Sequence, residues 1–390
     1  MTSADTPTAP SLLSVLEQHR VVVCVGSGGV GKTTTSAALA LYAALSGKNV
    51  LCLTIDPAKR LANSLGLKAM TSDEQLVAPE LFVEAGLKAN GSLRAMMLDT
   101  KRTFDALVER YASSKERAQR ILNNRLYQYI STSLAGTQEY MAMEKLYEVR
   151  QNSAYDLVVL DTPPTTNALD FLDAPEKLVN AIDSPAMRWF MQAFSGAGKI
   201  GLGLVGRGAG MVMRGLSKFT GGEFLDSVAH FISDINDLFG GFTERARAVE
   251  GALRASDVAF VLVTSPDPLA VREAVFFADK LQEHGMRQAA TVINRVTPLL
   301  AEPHGSQDEV RRALRARIPD QLDASALEEK LWQALDDERL RAVTDRGEVE
   351  RLHALTKNRG LYVEVPAFEE DVHDLRGLAR VSQHLVGAVS

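Results

Sequence analysis

Five apolar residues, Val21–Val25, run straight into Gly26-Ser27-Gly28-Gly29-Val30-Gly31-Lys32-Thr33, and an Ala/Leu-rich stretch follows to Leu45. A β-branched run, a glycine-rich turn and a helical pattern in that order form the strand–loop–helix context of the G-x-x-x-x-G-K-[ST] phosphate-binding loop. The glycines let backbone N–H groups converge on a phosphate, and the helix N-terminus adds partial positive charge. Gly28, Gly29, Val30, Gly31, Lys32, Thr33 and Thr34 are therefore the expected nucleotide contacts. Lys32 is expected to reach the β- and γ-phosphates of ATP, and the Thr33 hydroxyl to ligate Mg²⁺.

A loop of this kind needs an α/β sheet around it. Further Val/Ile/Leu runs recur at Val50–Ile55, Leu157–Leu160, Val258–Val263, Thr291–Val296 and Leu361–Val365, with Leu93–Leu98 as another strand candidate. Runs without polar alternation read as strands buried on both faces, and their spacing by helical patterns predicts a doubly wound, mainly parallel sheet. Ligands of such sheets bind beyond the carboxyl ends of the strands, where Asp56, Asp161, Asn294 and Pro366 fall. Thr100–Gln151 and Phe171–Leu253 break the alternation; residues 100–151 and 171–253 read as two insertions building one helical subdomain. Residues 1–10, rich in Thr, Ala and Pro, read as a disordered tail, leaving 11–390 as a single P-loop ATPase domain.

Two carboxylates complete the chemistry. Asp56 follows the second strand run within Leu53-Thr54-Ile55-Asp56-Pro57-Ala58, and Asp161 ends Val158-Val159-Leu160-Asp161 before Thr162-Pro163-Pro164. Transfer of a phosphoryl group to water needs a metal to neutralise charge and a group to orient the water. Asp161 suits the first task as an Mg²⁺ holder, and Asp56 the second. The prolines after each carboxylate stiffen the loops that would move with the γ-phosphate.

These segments, with Leu134-Ala135-Gly136-Thr137-Gln138-Glu139 between them, resemble the ArsA family, which includes the arsenite-pump ATPase and the targeting ATPase for tail-anchored membrane proteins. The resemblance spans nearly the whole chain after the tail. It implies a homodimer that closes over ATP and opens after hydrolysis. It also makes Asp56 the catalytic switch-I residue and Asp161 the switch-II residue, and places Asn294 and Pro366 beside adenine. Three departures matter. The family carries a lysine where this chain has Ser27, so either another cation substitutes, with Lys59 and Arg60 just beyond Asp56 as the candidates, or hydrolysis is slow. The dimer-clamping zinc Cys-x-x-Cys motif is missing. So is an arsenite thiol cluster, because Cys24 and Cys52 are the two cysteines and both sit in strand runs. Neither a zinc site nor an arsenite site is expected.

The second insertion suits a hydrophobic or membrane-protein client. Met187, Trp189, Phe190, Met191 and Phe194 form a dense apolar cluster, followed by Met211 and Met213. Pliable, Met-rich surfaces accept varied partners. If residues 188–218 were helical, Arg188, Lys199, Arg207, Arg214 and Lys218 would share an arc of about 120°. The formal charge of −6, from 43 basic and 49 acidic residues, argues against a nucleic-acid partner. No run of 18 apolar residues is free of charges or breakers, and residues 1–10 lack a signal pattern, so the expected location is the cytoplasm. The expectation is thus an ATPase that cycles a dimer around a hydrophobic client. The alternatives are an ATP-binding scaffold with weak hydrolysis and a P-loop kinase.

Overall fold

The computed structural model describes residues 12–55, 59–125, 127–128, 131, 137–162, 173–174, 176–177, 179–180, 184–185, 231, 234, 243–300, 307–317, 324–357 and 359–387. Eight strands form one sheet: β1 (Val21–Val25), β2 (Asn49–Thr54), β3 (Gln75–Leu76), β4 (Ser92–Met97), β5 (Leu157–Asp161), β6 (Val258–Thr264), β7 (Gln288–Val296) and β8 (Leu361–Pro366). Their order is β3-β4-β2-β5-β1-β6-β7-β8. Every pairing is parallel except β3 with β4, which is antiparallel and closes one edge. From β1 the chain winds outward to β4, returns to β5, then winds the other way through β6 to β8. Carboxyl ends that face a reversal of this kind leave a crevice for ligand.

All residues of β1, β5 and β6 are buried, as expected for runs covered on both faces. Val22 and Cys24 pack on one side, with Ala37–Leu45 of helix α2 (Lys32–Leu45) and Leu378, Val381 and Leu385 near the C-terminus. Val21, Val23 and Val25 pack on the other, against Leu107, Ile121, Met143, Phe277 and Leu352. Those residues come from helices α5 (Thr100–Tyr111), α6 (Lys115–Leu122), α7 (Thr137–Arg150), α8 (Pro268–Glu283) and α10 (Ala324–Leu355). Further helices are α1 (Leu13–Gln18), α3 (Lys59–Ser64), α4 (Pro79–Glu84), α9 (Gln307–Arg315) and α11 (Leu375–Val386).

The helix starts follow local chemistry. Asp99, Asp267 and Asp374 each cap the helix after them by accepting from its first amides, and Pro268 sits where its missing N–H costs nothing. Ion pairs tie the two insertions together. Arg117 Nε and Arg120 Nε each lie 3.0 Å from an Asp234 oxygen, and Arg245 Nε lies 2.7 Å from Glu144 Oε1. The hydrogen bond from Arg120 leads the causes that hold the Asp234 carboxyl below the usual carboxylate range.

Candidate nucleotide site

The loop leaves β1 pressed against β6. A Cβ on Gly26 would lie 2.0 Å from the Val263 carbonyl oxygen, a place where only glycine fits. At the far end Gly31 (φ 99, ψ 22) is the N-cap of α2 and gives no side-chain cap. The first amides of α2 therefore keep their donors for a ligand. A Cβ on Gly31 would meet Asn294 Nδ2 at 2.1 Å. Gly29, Gly31, Lys32, Thr33 and Thr34 line a cavity of about 420 Å³; Val30 is buried, and Gly28 is exposed at the loop's crown.

Lys32 is only 6% exposed, and its Nζ donates to the Ser27 carbonyl at 2.6 Å. The ammonium is thus folded back over the concavity of its own loop, within reach of any anion seated there. Ser27 engages it through its backbone. The Ser27 hydroxyl is buried and makes no hydrogen bond among the described residues.

One carboxylate joins three segments. Asp161 is 1% exposed at the end of β5, and its Oδ2 accepts from Thr33 Oγ1 at 2.8 Å and from Thr54 Oγ1 at 3.1 Å. The register makes this possible: Asp161 pairs with Cys24 of β1 on one side and Thr54 of β2 on the other. Next along, Thr162 Oγ1 donates to the Cys24 carbonyl at 2.8 Å. Burial pushes the Cys24 thiol up to about 12, with the Asp161 charge adding to it, and raises Cys52 for the same reasons. Both thiols stay protonated and inert at neutral pH. Thr54 carries no motif of its own; its only signal in sequence is a hydroxyl near the end of an apolar run.

The Gln138 Nε2 of α7 donates to the Ile55 carbonyl at 3.4 Å, so the first insertion touches the chain immediately before Asp56. Asp56 itself lies outside the described residues, as do the side chains of Lys59 and Arg60, and Met187, Trp189, Phe190, Met191 and Phe194. Asn294 and Pro366 both line the cavity, from the ends of β7 and β8. The Asn294 amide also donates to the Val30 carbonyl at 2.8 Å, a clamp on the phosphate loop that no motif announces. Among the described residues no helix is long and apolar enough to cross a membrane.

Comparison with known proteins agrees with this layout. The family described as Anion-transporting ATPase (ArsA) matches residues 19–325. The ATPase GET3 of Malassezia globosa is 28% identical over 323 residues, covering 80% of this chain and 84% of that protein. The ATPase get3 of Pyrenophora tritici-repentis is 25% identical over 334 residues, covering 82% and 86%. The ATPase GET3 of Phaeosphaeria nodorum is 25% identical over 331 residues, covering 82% and 90%. With a parallel α/β sheet, a glycine loop on its central strand and a family match over most of its length, this chain belongs to the ArsA family and is an ATPase.

Proposed function

We propose that the chain works as a homodimeric, Mg²⁺-dependent ATPase whose nucleotide state opens and closes the dimer, binding and then releasing a hydrophobic protein segment. The observation that carries this reading is the shared Asp161 carboxylate, which links the phosphate loop through Thr33 to the strand leading into Asp56 through Thr54. A change at the phosphates is thereby felt at both switch segments.

The oxygen donors of Thr33 and Asp161, already 2.8 Å apart at the start of α2, fit Mg²⁺. When bound, Mg²⁺ neutralises charge on the phosphate oxygens. The chain's own residues supply the rest. Lys32 moves from the Ser27 carbonyl to the β- and γ-oxygens, and the α2 amides hold the β-phosphate. Thr33 and Asp161 would hold the metal, while Thr54 keeps the carboxylate aimed. Asp56 orients the attacking water. Asn294 holds the loop in shape, and Pro366 borders the base.

The coupling to a client would run through the helical subdomain formed by residues 100–151 and 171–253. The Gln138 contact to Ile55 supports a mechanical link, and the Arg117, Arg120 and Arg245 ion pairs support movement of the two insertions as one body. The apolar cluster around Trp189 is the proposed client surface, and the family resemblance favours tail-anchored membrane proteins as its class.

Ser27 favours a second reading, an ATP-binding scaffold with weak turnover, because the loop lacks the lysine that reaches a partner's phosphates. Asp56→Asn separates the two. The switch reading expects ATP binding to persist, phosphate release to slow by at least about tenfold, and sedimentation to show an ATP-held closed dimer. Wild-type turnover in Asp56→Asn, or a dimer indifferent to ATP, would reject the switch.

A further inference from the structure

Among the described residues two non-glycines have left-handed backbone, Arg295 (φ 61) and Lys357 (φ 53). Lys357 follows the end of α10, where a left-handed residue commonly closes a helix. Arg295 is different, because it lies inside a strand. It sits in β7 between Asn294 and Val296, where the pairing with β8 shifts register: Asn294 opposes Val365, and Val296 opposes Pro366. Arg295 is the extra residue of a bulge.

The bulge changes what the strand end presents. Consecutive side chains of a regular strand point to opposite faces of the sheet. Here Asn294 and Arg295, neighbours in sequence, both line the cavity that holds the phosphate loop. A bulge with one left-handed residue re-aims a side chain in this way. The conformation costs an arginine free energy that it would not cost glycine, and such strain persists where the surroundings impose it. Among the described residues the Arg295 guanidinium has no carboxylate partner to account for it.

We propose that Arg295 is a nucleotide-contacting residue whose side chain lies against the purine end of ATP, its planar guanidinium or its stem covering the base. The inference rests on the cavity being the nucleotide site. The direction follows from the sheet. The phosphates are held at the start of α2, directly after β1, whereas β7 lies two strands away, about 10 Å at the usual strand spacing. That separation carries a ligand anchored at Lys32 from its phosphates to its base. Pro366, which pairs with Val296 beside Arg295, and Phe368 also line the cavity and give it apolar surface. Guanidinium groups stack readily on aromatic rings, so a cation here serves a base as well as an anion.

Arg295→Gly and Arg295→Asn test this, because both residues accept φ near +60°. Each variant is expected to keep or raise the melting temperature, since the strain is relieved, while ATP binds about tenfold more weakly. Inorganic triphosphate, measured as a competitor, is expected to behave as with the wild type, because it has no base. Unchanged ATP affinity in both variants would overturn the proposal, and so would an equal loss for triphosphate, which would move Arg295 to the phosphate end. Lys32→Ala serves as the reference. If it too leaves ATP affinity unchanged, the site assignment fails; if it weakens ATP and the Arg295 variants do not, the role of Arg295 alone fails.

Discussion

Gly31→Ala probes the junction on which the candidate site is built. Two penalties add at this position. An alanine at φ 99 pays for a left-handed backbone, about 1–2 kcal/mol. Its Cβ would also sit 2.1 Å from Asn294 Nδ2, so the amide must withdraw from the Val30 carbonyl and lose a hydrogen bond worth about 1 kcal/mol. The total, about 2–3 kcal/mol, must appear somewhere. If the loop holds its shape, urea unfolding reports the loss. If the loop relaxes, the loss appears as ATP affinity weaker by about 30-fold to 150-fold. A double-mutant cycle separates the parts. In an Asn294→Ala background the collision is gone and only the backbone term, about 1–2 kcal/mol, remains. Normal stability together with normal ATP affinity in Gly31→Ala would refute the geometry of the loop and its clamp.

Other outcomes follow from the same structure. If Lys59 or Arg60 replaces the cation absent at Ser27, the double variant Lys59→Ala, Arg60→Ala should lose about tenfold in turnover with little change in ATP affinity; Ser27→Lys should then restore part of the rate, and normal turnover in the double variant discards the idea. The Cys24 thiol gives a pH dependence. Its proton is held to about 12 in the folded chain against an ordinary 9.0, so its contribution is complete below pH 9 and is lost as pH rises toward 12. Between those limits the unfolded chain binds fewer protons, and stability should fall by about 1.4 kcal/mol per pH unit beyond the fall in Cys24→Ala. Parallel stability curves from pH 8 to 10.5 would show that this thiol titrates as in the unfolded chain.

Much of this was legible in sequence because burial on both faces leaves a plain signal. All seven apolar runs, including Leu93–Leu98, appear as parallel strands, six of them within a residue of the expected ends and the seventh, β7, starting three residues earlier than Thr291. β3 was not legible: Gln75–Leu76 is two residues long and depends on its partner β4 for its identity. Nor was α10, whose 32 residues carry charge all round and only a thin apolar face, including Val349 and Leu352. In the site, Lys32, Thr33 and Asp161 could be singled out because motif and strand end coincide. Thr54, the Asn294 clamp and the Arg295 bulge could not, because each depends on register between strands far apart in sequence. A polar residue ending an apolar run gives no hint of which neighbour it will meet.

The central claim is that the loop from Gly26 to Thr33 is where ATP is bound. Calorimetric titration of Mg·ATP into Lys32→Ala, beside the wild type, tests it most directly. Lys32 Nζ already lies over the loop on the Ser27 carbonyl, and its charge-assisted bonds to phosphate are worth about 1.5–3 kcal/mol each. The account predicts a variant that melts as a folded protein and binds ATP at least about tenfold more weakly. A folded Lys32→Ala chain with wild-type affinity for Mg·ATP would contradict it.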